Sequence, residues 1–177
     1  MKVRPRVLLL KAEKILGRDA VRNGFYGQEF NITTYNLCRI NMFLHDIGFD
    51  KFDIACEDTL TAPQHWDDEP FELIVSNPPY IPTDDIEDLM REVKDHEPHL
   101  ALDGSRDGLH FYRKLAEESG RYLVPGGSLL FEIGYDQGKA VSQLLDQAGF
   151  KDIHVKKDLA GLDRVVYAVK AAEDGGK

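Results

Sequence analysis

Phe71-Glu72-Leu73-Ile74-Val75-Ser76-Asn77-Pro78-Pro79-Tyr80 is the stretch that decides how the rest of the chain is read. Phe71 to Val75 is apolar apart from Glu72, short, and rich in strand formers, so it predicts a strand. Pro78 and Pro79 end that strand, because proline has no N–H to give a sheet ladder. In open α/β sheets, ligands bind beyond the carboxyl ends of the strands. Asn77 sits at such an end. The two prolines stiffen the backbone, so the Asn77 side chain and the Pro78 carbonyl form two hydrogen-bond acceptors at fixed angles. A planar NH2 group has two hydrogens to give to them. Tyr80 offers a flat face that can stack on an amide or a base. The chemistry that fits is capture of that NH2 group and alignment of its nitrogen for reaction, driven largely by positioning.

The elements around this stretch alternate. Val7 to Leu16 has helical spacing and ends at Gly17. Gly24 to Phe30 reads as a short strand, and Asn31 caps a helix carrying Ile32, Tyr35, Leu37, Ile40, Phe43 and Leu44 that stops at Gly48. Phe52 to Cys56 is a second short strand, followed by a polar loop from Pro63 to Pro70 with the single tryptophan, Trp66. After Tyr80 comes an acidic, proline-containing stretch from Pro82 to Asp107, in which the acids from Asp84 to Asp95 read as a solvated face. Gly108 to Tyr122 is a helix, Pro125-Gly126-Gly127 a turn, Ser128 to Ile133 a buried strand, and Gln137 to Ala148 a helix closed by Gly149. Ile153 to Asp158 and Arg164 to Val169 are joined by too short a loop for a crossover helix, so they form an antiparallel hairpin. The fold class is α/β, with a mostly parallel sheet flanked by helices. Residues 1–170 read as one domain, and 171–177 as a frayed, disordered tail.

Composition narrows the function. The 177 residues carry a net charge of −9 with no basic stripe, which argues against a stand-alone nucleic-acid binder. No apolar run approaches the length of a membrane span, and the apolar run Val7-Leu8-Leu9-Leu10 that follows the basic start is too short for a signal-peptide core. Cys38 and Cys56 lack metal-ligand spacing and read as reduced thiols of a cytoplasmic protein. His96 and His99 flank Glu97, but Pro98 interrupts any shared helix face and no metal site is expected. Glu29 and Asp58 stand at successive strand ends, where carboxylates can take ribose hydroxyls and an adenine amino group.

Ser76 to Tyr80 resembles the catalytic motif of two related families of class I, S-adenosylmethionine-dependent methyltransferases. From Phe71 to Lys170 the chain resembles the release-factor glutamine N5-methyltransferases. The likeness is carried by Asp95 to Gly104, Asp107 to Tyr112, Pro125 to Gly127, Glu132 to Gly134, Gln137-Gly138 and Lys157 to Arg164. From Leu8 to Tyr80 it resembles the modification subunit of type I restriction systems, which methylates adenine in DNA. Here the likeness is carried by Gly24 to Glu29, Asn31 to Leu37, Phe52 to Ala55 and Asp58 to Leu60. The chain is therefore read as a hybrid joined near residues 71–80.

The resemblance implies a Rossmann-like sheet with a C-terminal antiparallel hairpin and S-adenosylmethionine as cofactor. It implies Asn77, Pro78, Pro79 and Tyr80 as the catalytic set, and Glu29, Asp58 and Asn77 as the cofactor set. Both families carry a glycine-rich loop after their first strand. This chain has no Gly-x-Gly before Leu8, so that strand is expected to be missing or replaced by Val3 to Leu10. The function implied first is methylation of a glutamine amide in a release factor. The alternatives are adenine methylation of DNA, or an inactive module completed by a second copy through an exchanged strand.

Overall fold

The computed structural model describes residues 25–44, 47–57, 62, 64, 65, 70–94 and 98–172. The helix expected over Val7 to Leu16, the strand alternative at Val3 to Leu10, Trp66, Asp58, His96, Glu97 and the tail from 173 onward lie outside those residues. The chain divides into two compact units, Met1–Asp68 and Glu69–Lys177.

In the first unit, β1 (Phe25–Gln28) pairs in parallel with β2 (Phe52–Ala55), with Phe25 opposite Phe52 and Gln28 opposite Ala55. Between them runs α1 (Ile32–Leu44). Its start is the one the sequence predicts: Asn31 Oδ1 accepts from Thr33 N at 2.9 Å and Thr34 N at 3.2 Å, satisfying two of the free N–H groups of the first turn. Met42 is the buried residue of this helix, while Ile40, Phe43 and Leu44 are exposed.

In the second unit, β3 (Phe71–Ser76), β4 (Leu123–Glu132), β5 (Lys151–Lys157) and β6 (Asp163–Val169) form one sheet in the order β3-β4-β6-β5. β3 and β4 are parallel, and β6 is antiparallel to both β4 and β5. The hairpin is as expected, and its second strand is the one beside β4. The reason is in the side chains. Val166 and Ala168 of β6 are buried, whereas β5 carries Lys151, Asp152, His154, Lys156 and Lys157, the charged coat of an edge strand. Pro125-Gly126-Gly127 is not a turn before the strand. It is the interior of β4, bulged so that pairing with β3 jumps from Leu123 opposite Phe71 to Ser128 opposite Leu73.

Two helices cover this sheet, α4 (His110–Ser119) and α5 (Gly138–Gln147). Between β3 and α4, the acidic stretch folds into a 3-10 helix, Thr83–Asp88, and two single-turn helices, α2 (Arg91–Lys94) and α3 (His99–Leu102). α5 ends on Gly149 at φ +88°, with Gly149 N donating to Asp146 O and Phe150 N to Leu145 O, both at 3.0 Å. That pair of bonds is a Schellman cap and returns Phe150 to the core. The core joins Tyr112 and Ala116 of α4, Leu129 and Phe131 of β4, Val141 and Leu145 of α5, and Val166 and Ala168 of β6. Each large apolar side chain so buried contributes about 1.5–3 kcal/mol. Among the described residues no helix is long and apolar enough to cross a membrane.

Candidate active site

β3 ends at Ser76, opposite Phe131 of β4, and the tetrapeptide follows directly. Asn77 is exposed, Pro78 is buried, and Pro79 and Tyr80 are half-buried. The chain does not leave the structure there. Ile81 makes a single parallel bridge to Asp103, with Ile81 N donating to Leu102 O at 3.0 Å and Gly104 N to Ile81 O at 2.8 Å. Thr83 extends the seam. Its hydroxyl donates to Asp103 Oδ1 at 2.8 Å, and its N–H donates to Ser105 O at 3.2 Å. The Thr83 hydroxyl holds the Asp103 carboxyl below the usual carboxylate range; burial opposes it, and the Ser105 N–H at 2.9 Å and His99 add to it.

The backbone of Tyr80 is packed tightly from two sides. A Cβ on Gly104 would stand 2.8 Å from Tyr80 Cα, and one on Gly108 would overlap the Tyr80 carbonyl oxygen. Gly108 also has φ +69°, a conformation that side chains other than glycine rarely adopt. The same carbonyl accepts from Gln137 Nε2 at 2.9 Å.

Beneath the tetrapeptide lies a polar cluster. The Tyr80 hydroxyl is pushed up by burial and by the nearby Glu132 carboxylate, while the Arg164 guanidinium beside it pulls the other way. The phenol is therefore neutral at ordinary pH. Burial also raises Glu132, with Arg164 again opposing. Tyr112 donates to Glu132 O at 2.7 Å and is held protonated by burial first, then by Tyr80 and Glu132. Arg164 Nη1 donates to Ile133 O and Nη2 faces Asp158 Oδ2, both at 3.4 Å, and its buried Nε has no hydrogen-bond partner among the described residues. Asp158 in turn accepts from the N–H groups of Ala160 and Leu162 in the hairpin loop.

In the first unit, Glu29 stands at the end of β1, where the sequence places it. Its N–H donates to Ala55 O at 3.0 Å, and its Oε1 accepts from Asn31 N at 2.8 Å. Oε2 takes no hydrogen bond from the described residues. Burial, and secondarily the Glu29 carboxylate, raise the Cys38 thiol, which fits a reduced and unreactive cysteine. Asp58 falls outside the described residues. His99 Nδ1 lies 3.8 Å from Asp103 Oδ2.

Sequence reasoning brings Asn77, Pro78, Pro79 and Tyr80 together at one strand end. It gives no role to Asp103, Gln137 or Arg164. Gln137 left one faint signal, an amide at a helix start flanked by Gly134 and Gly138.

The model of the N-6 DNA methylase family matches residues 6–140. A release factor glutamine methyltransferase of Clostridium botulinum is 46% identical over 136 residues, which is 77% of this chain and 47% of that protein. Among solved structures, the release factor-specific protein-(glutamine-N5) methyltransferase of Alicyclobacillus acidocaldarius superposes with a TM-score of 0.55 at 21% identity, over 97% of this chain and 94% of that one. The type I restriction-modification system methyltransferase subunit of Streptococcus thermophilus gives 0.59 at 16% identity, over 98% and 45%. At those identities the likeness is one of fold, the α/β methyltransferase fold. The chain spans 36% and 47% of the length of two curated relatives that it matches.

Proposed function

The chain belongs to the N-6 DNA methylase family, and we propose that it transfers a methyl group from S-adenosylmethionine to the side-chain amide of a glutamine in a protein of the release-factor type. The observation that carries this reading is the framing of the tetrapeptide. Asn77 presents an exposed side chain from a backbone held by a buried Pro78, an anchored Tyr80 carbonyl and a bridged Ile81. Such a frame suits a group that must accept hydrogen bonds at fixed angles. The protein acceptor is favoured by the curated relatives, which are named for release-factor glutamine.

In this reading Asn77 and the Pro78 carbonyl accept the two amide hydrogens and turn the nitrogen lone pair outward. Pro79 keeps that geometry stiff, and the neutral Tyr80 ring packs on the amide plane. S-adenosylmethionine, when bound, supplies a methyl group on a positively charged sulfur. Glu29, Asp58 and Asn77 are the residues assigned to hold it. The half-buried Glu29 fits a ribose, because one oxygen is fixed by Asn31 N and the other takes no bond from the described residues. Residues 1–170 are taken as one methyltransferase-like domain joined near 71–80.

Adenine in duplex DNA is the second acceptor to test, favoured by the family description and opposed by the net charge of −9. The experiment offers the full chain S-adenosylmethionine labelled in its methyl group, with a bacterial release factor in one reaction and duplex DNA in the other. Label on a release-factor glutamine is expected. Label in DNA alone would overturn the choice of acceptor. Calorimetry with S-adenosylmethionine separates both enzymes from a folded module without a cofactor site, for which no binding would be seen.

A further inference from the structure

We infer that Gln137 is a positioning residue, a side-chain latch that sets the carbonyl of Tyr80 and with it the angle of the Asn77–Tyr80 backbone. The inference rests on the proposed role of that tetrapeptide as the amide-holding segment. Gln137 is only 7% exposed. A glutamine amide has two hydrogens to give and one carbonyl to receive, and all of them are used by main-chain partners. Nε2 donates to Tyr80 O at 2.9 Å and to Gly108 O at 3.3 Å, and Oε1 accepts from Gly134 N at 3.0 Å. The residue's own N–H donates to Gly134 O at 3.1 Å, so it is fixed at both ends.

One side chain thus ties together three separate pieces of backbone. They are the exit of β3, the loop before α4 and the loop after β4. The partners lie 57 and 29 residues away along the chain for Tyr80 and Gly108. None of these side-chain bonds caps α5, whose first intrahelical bond runs from Val141 N to the Gln137 main-chain carbonyl. The fit is close as well as polar. A Cβ on Gly108 would stand 2.7 Å from Gln137 Nε2, and one on Gly134 would stand 3.0 Å from Oε1. A buried amide with every group satisfied fixes one arrangement of its partners. The arrangement fixed here is that of the Tyr80 peptide, three residues after Asn77.

Two variants test the latch. Gln137→Met keeps the length and removes every hydrogen bond, while Gln137→Glu keeps an acceptor for Gly134 N and loses both donors. Each is expected to lower kcat for methyl transfer to release factor by about ten- to a hundredfold, the effect of a small misplacement of reacting groups. KM for S-adenosylmethionine should stay within about threefold of the parent value. Amide exchange gives a readout that needs no activity. The N–H groups of Ile81, Gly104 and His110 should exchange at least about tenfold faster, while those of Gly126 and Lys170, at the other end of β4 and β6, keep their protection. Unchanged exchange at Ile81 and Gly104, or a kcat within about threefold of the parent, would overturn the latch. If the parent chain transfers no methyl group, the functional reading fails, and amide exchange alone decides the latch.

Discussion

Phe43 on α1 and Phe131 on β4 are the same side chain in two settings. Phe43 is 60% exposed in the first unit, stacked on Phe49 at 5.7 Å between centroids. Phe131 is fully buried in the second, beside the ring of Tyr112. The contrast extends to the whole of each unit as described. The second closes a core from two helices and four strands. The first has a two-stranded parallel sheet, a form that is marginal alone and that elsewhere is covered on both faces. The tetrapeptide is therefore mounted on the better-packed part of the molecule. The proposed ribose-binding Glu29 is mounted on the sparser one.

Matched substitutions test this contrast first. Phe131→Ala should cost about 3–5 kcal/mol in chemical denaturation, and Phe43→Ala less than about 1 kcal/mol. Equal losses would break the comparison, since they would mean that the α1 face is covered in solution. Next in size, Asn77→Ala should lower kcat for methyl transfer about a hundred- to a thousandfold, as loss of a preorganised polar group does, without shifting the denaturation midpoint. Glu29→Gln should act on binding instead, raising the Kd for S-adenosylmethionine about tenfold or more by calorimetry. Should Glu29→Gln lower kcat without weakening S-adenosylmethionine binding, or Asn77→Ala leave kcat unchanged, the assignment of the ribose to Glu29 and of the amide to Asn77 would be wrong.

The smallest effect concerns Asp107, whose carboxyl is held down to about 2, chiefly by its bond to Arg113. A carboxylate depressed in the folded state stabilises it above the ordinary value, and that gain is lost as pH falls from about 4 to about 2. Both side chains are about half exposed, so Asp107→Asn should cost no more than about 1 kcal/mol at neutral pH. The difference between variant and parent should vanish near pH 2 in thermal melts.

Local chemistry makes much of this legible in the sequence alone. An apolar run stopped by two prolines reads as a strand with a stiff exit, and Asn31 before a helical pattern reads as a cap; both stand in the structure. What stayed hidden was set by distance along the chain. The acidic stretch after Pro82 gave no period strong enough to reveal the 3-10 helix at Thr83–Asp88. Pro125-Gly126-Gly127 has the composition of a turn, and only pairing with Phe71 and Leu73 makes it a bulge within β4. Gln137 and Arg164 look like surface residues in isolation. Their roles come from Tyr80, Gly108, Glu132 and Asp158, which the fold brings to them.

The close packing of Gly104 and Gly108 against Tyr80 has a consequence for how this sequence can drift. At Gly120, at the end of α4, an added methyl meets nothing within 4 Å, and φ is an ordinary −59°. In a library of all single substitutions, selected for folding alone, Gly120 should accept many residues. Gly104 and Gly108 should accept almost none, because any side chain there collides with main chain that cannot rotate away. In a second selection, for methylation, these two positions would look as intolerant as Asn77 itself, and only the folding selection, in which the exposed Asn77 varies freely, would tell them apart.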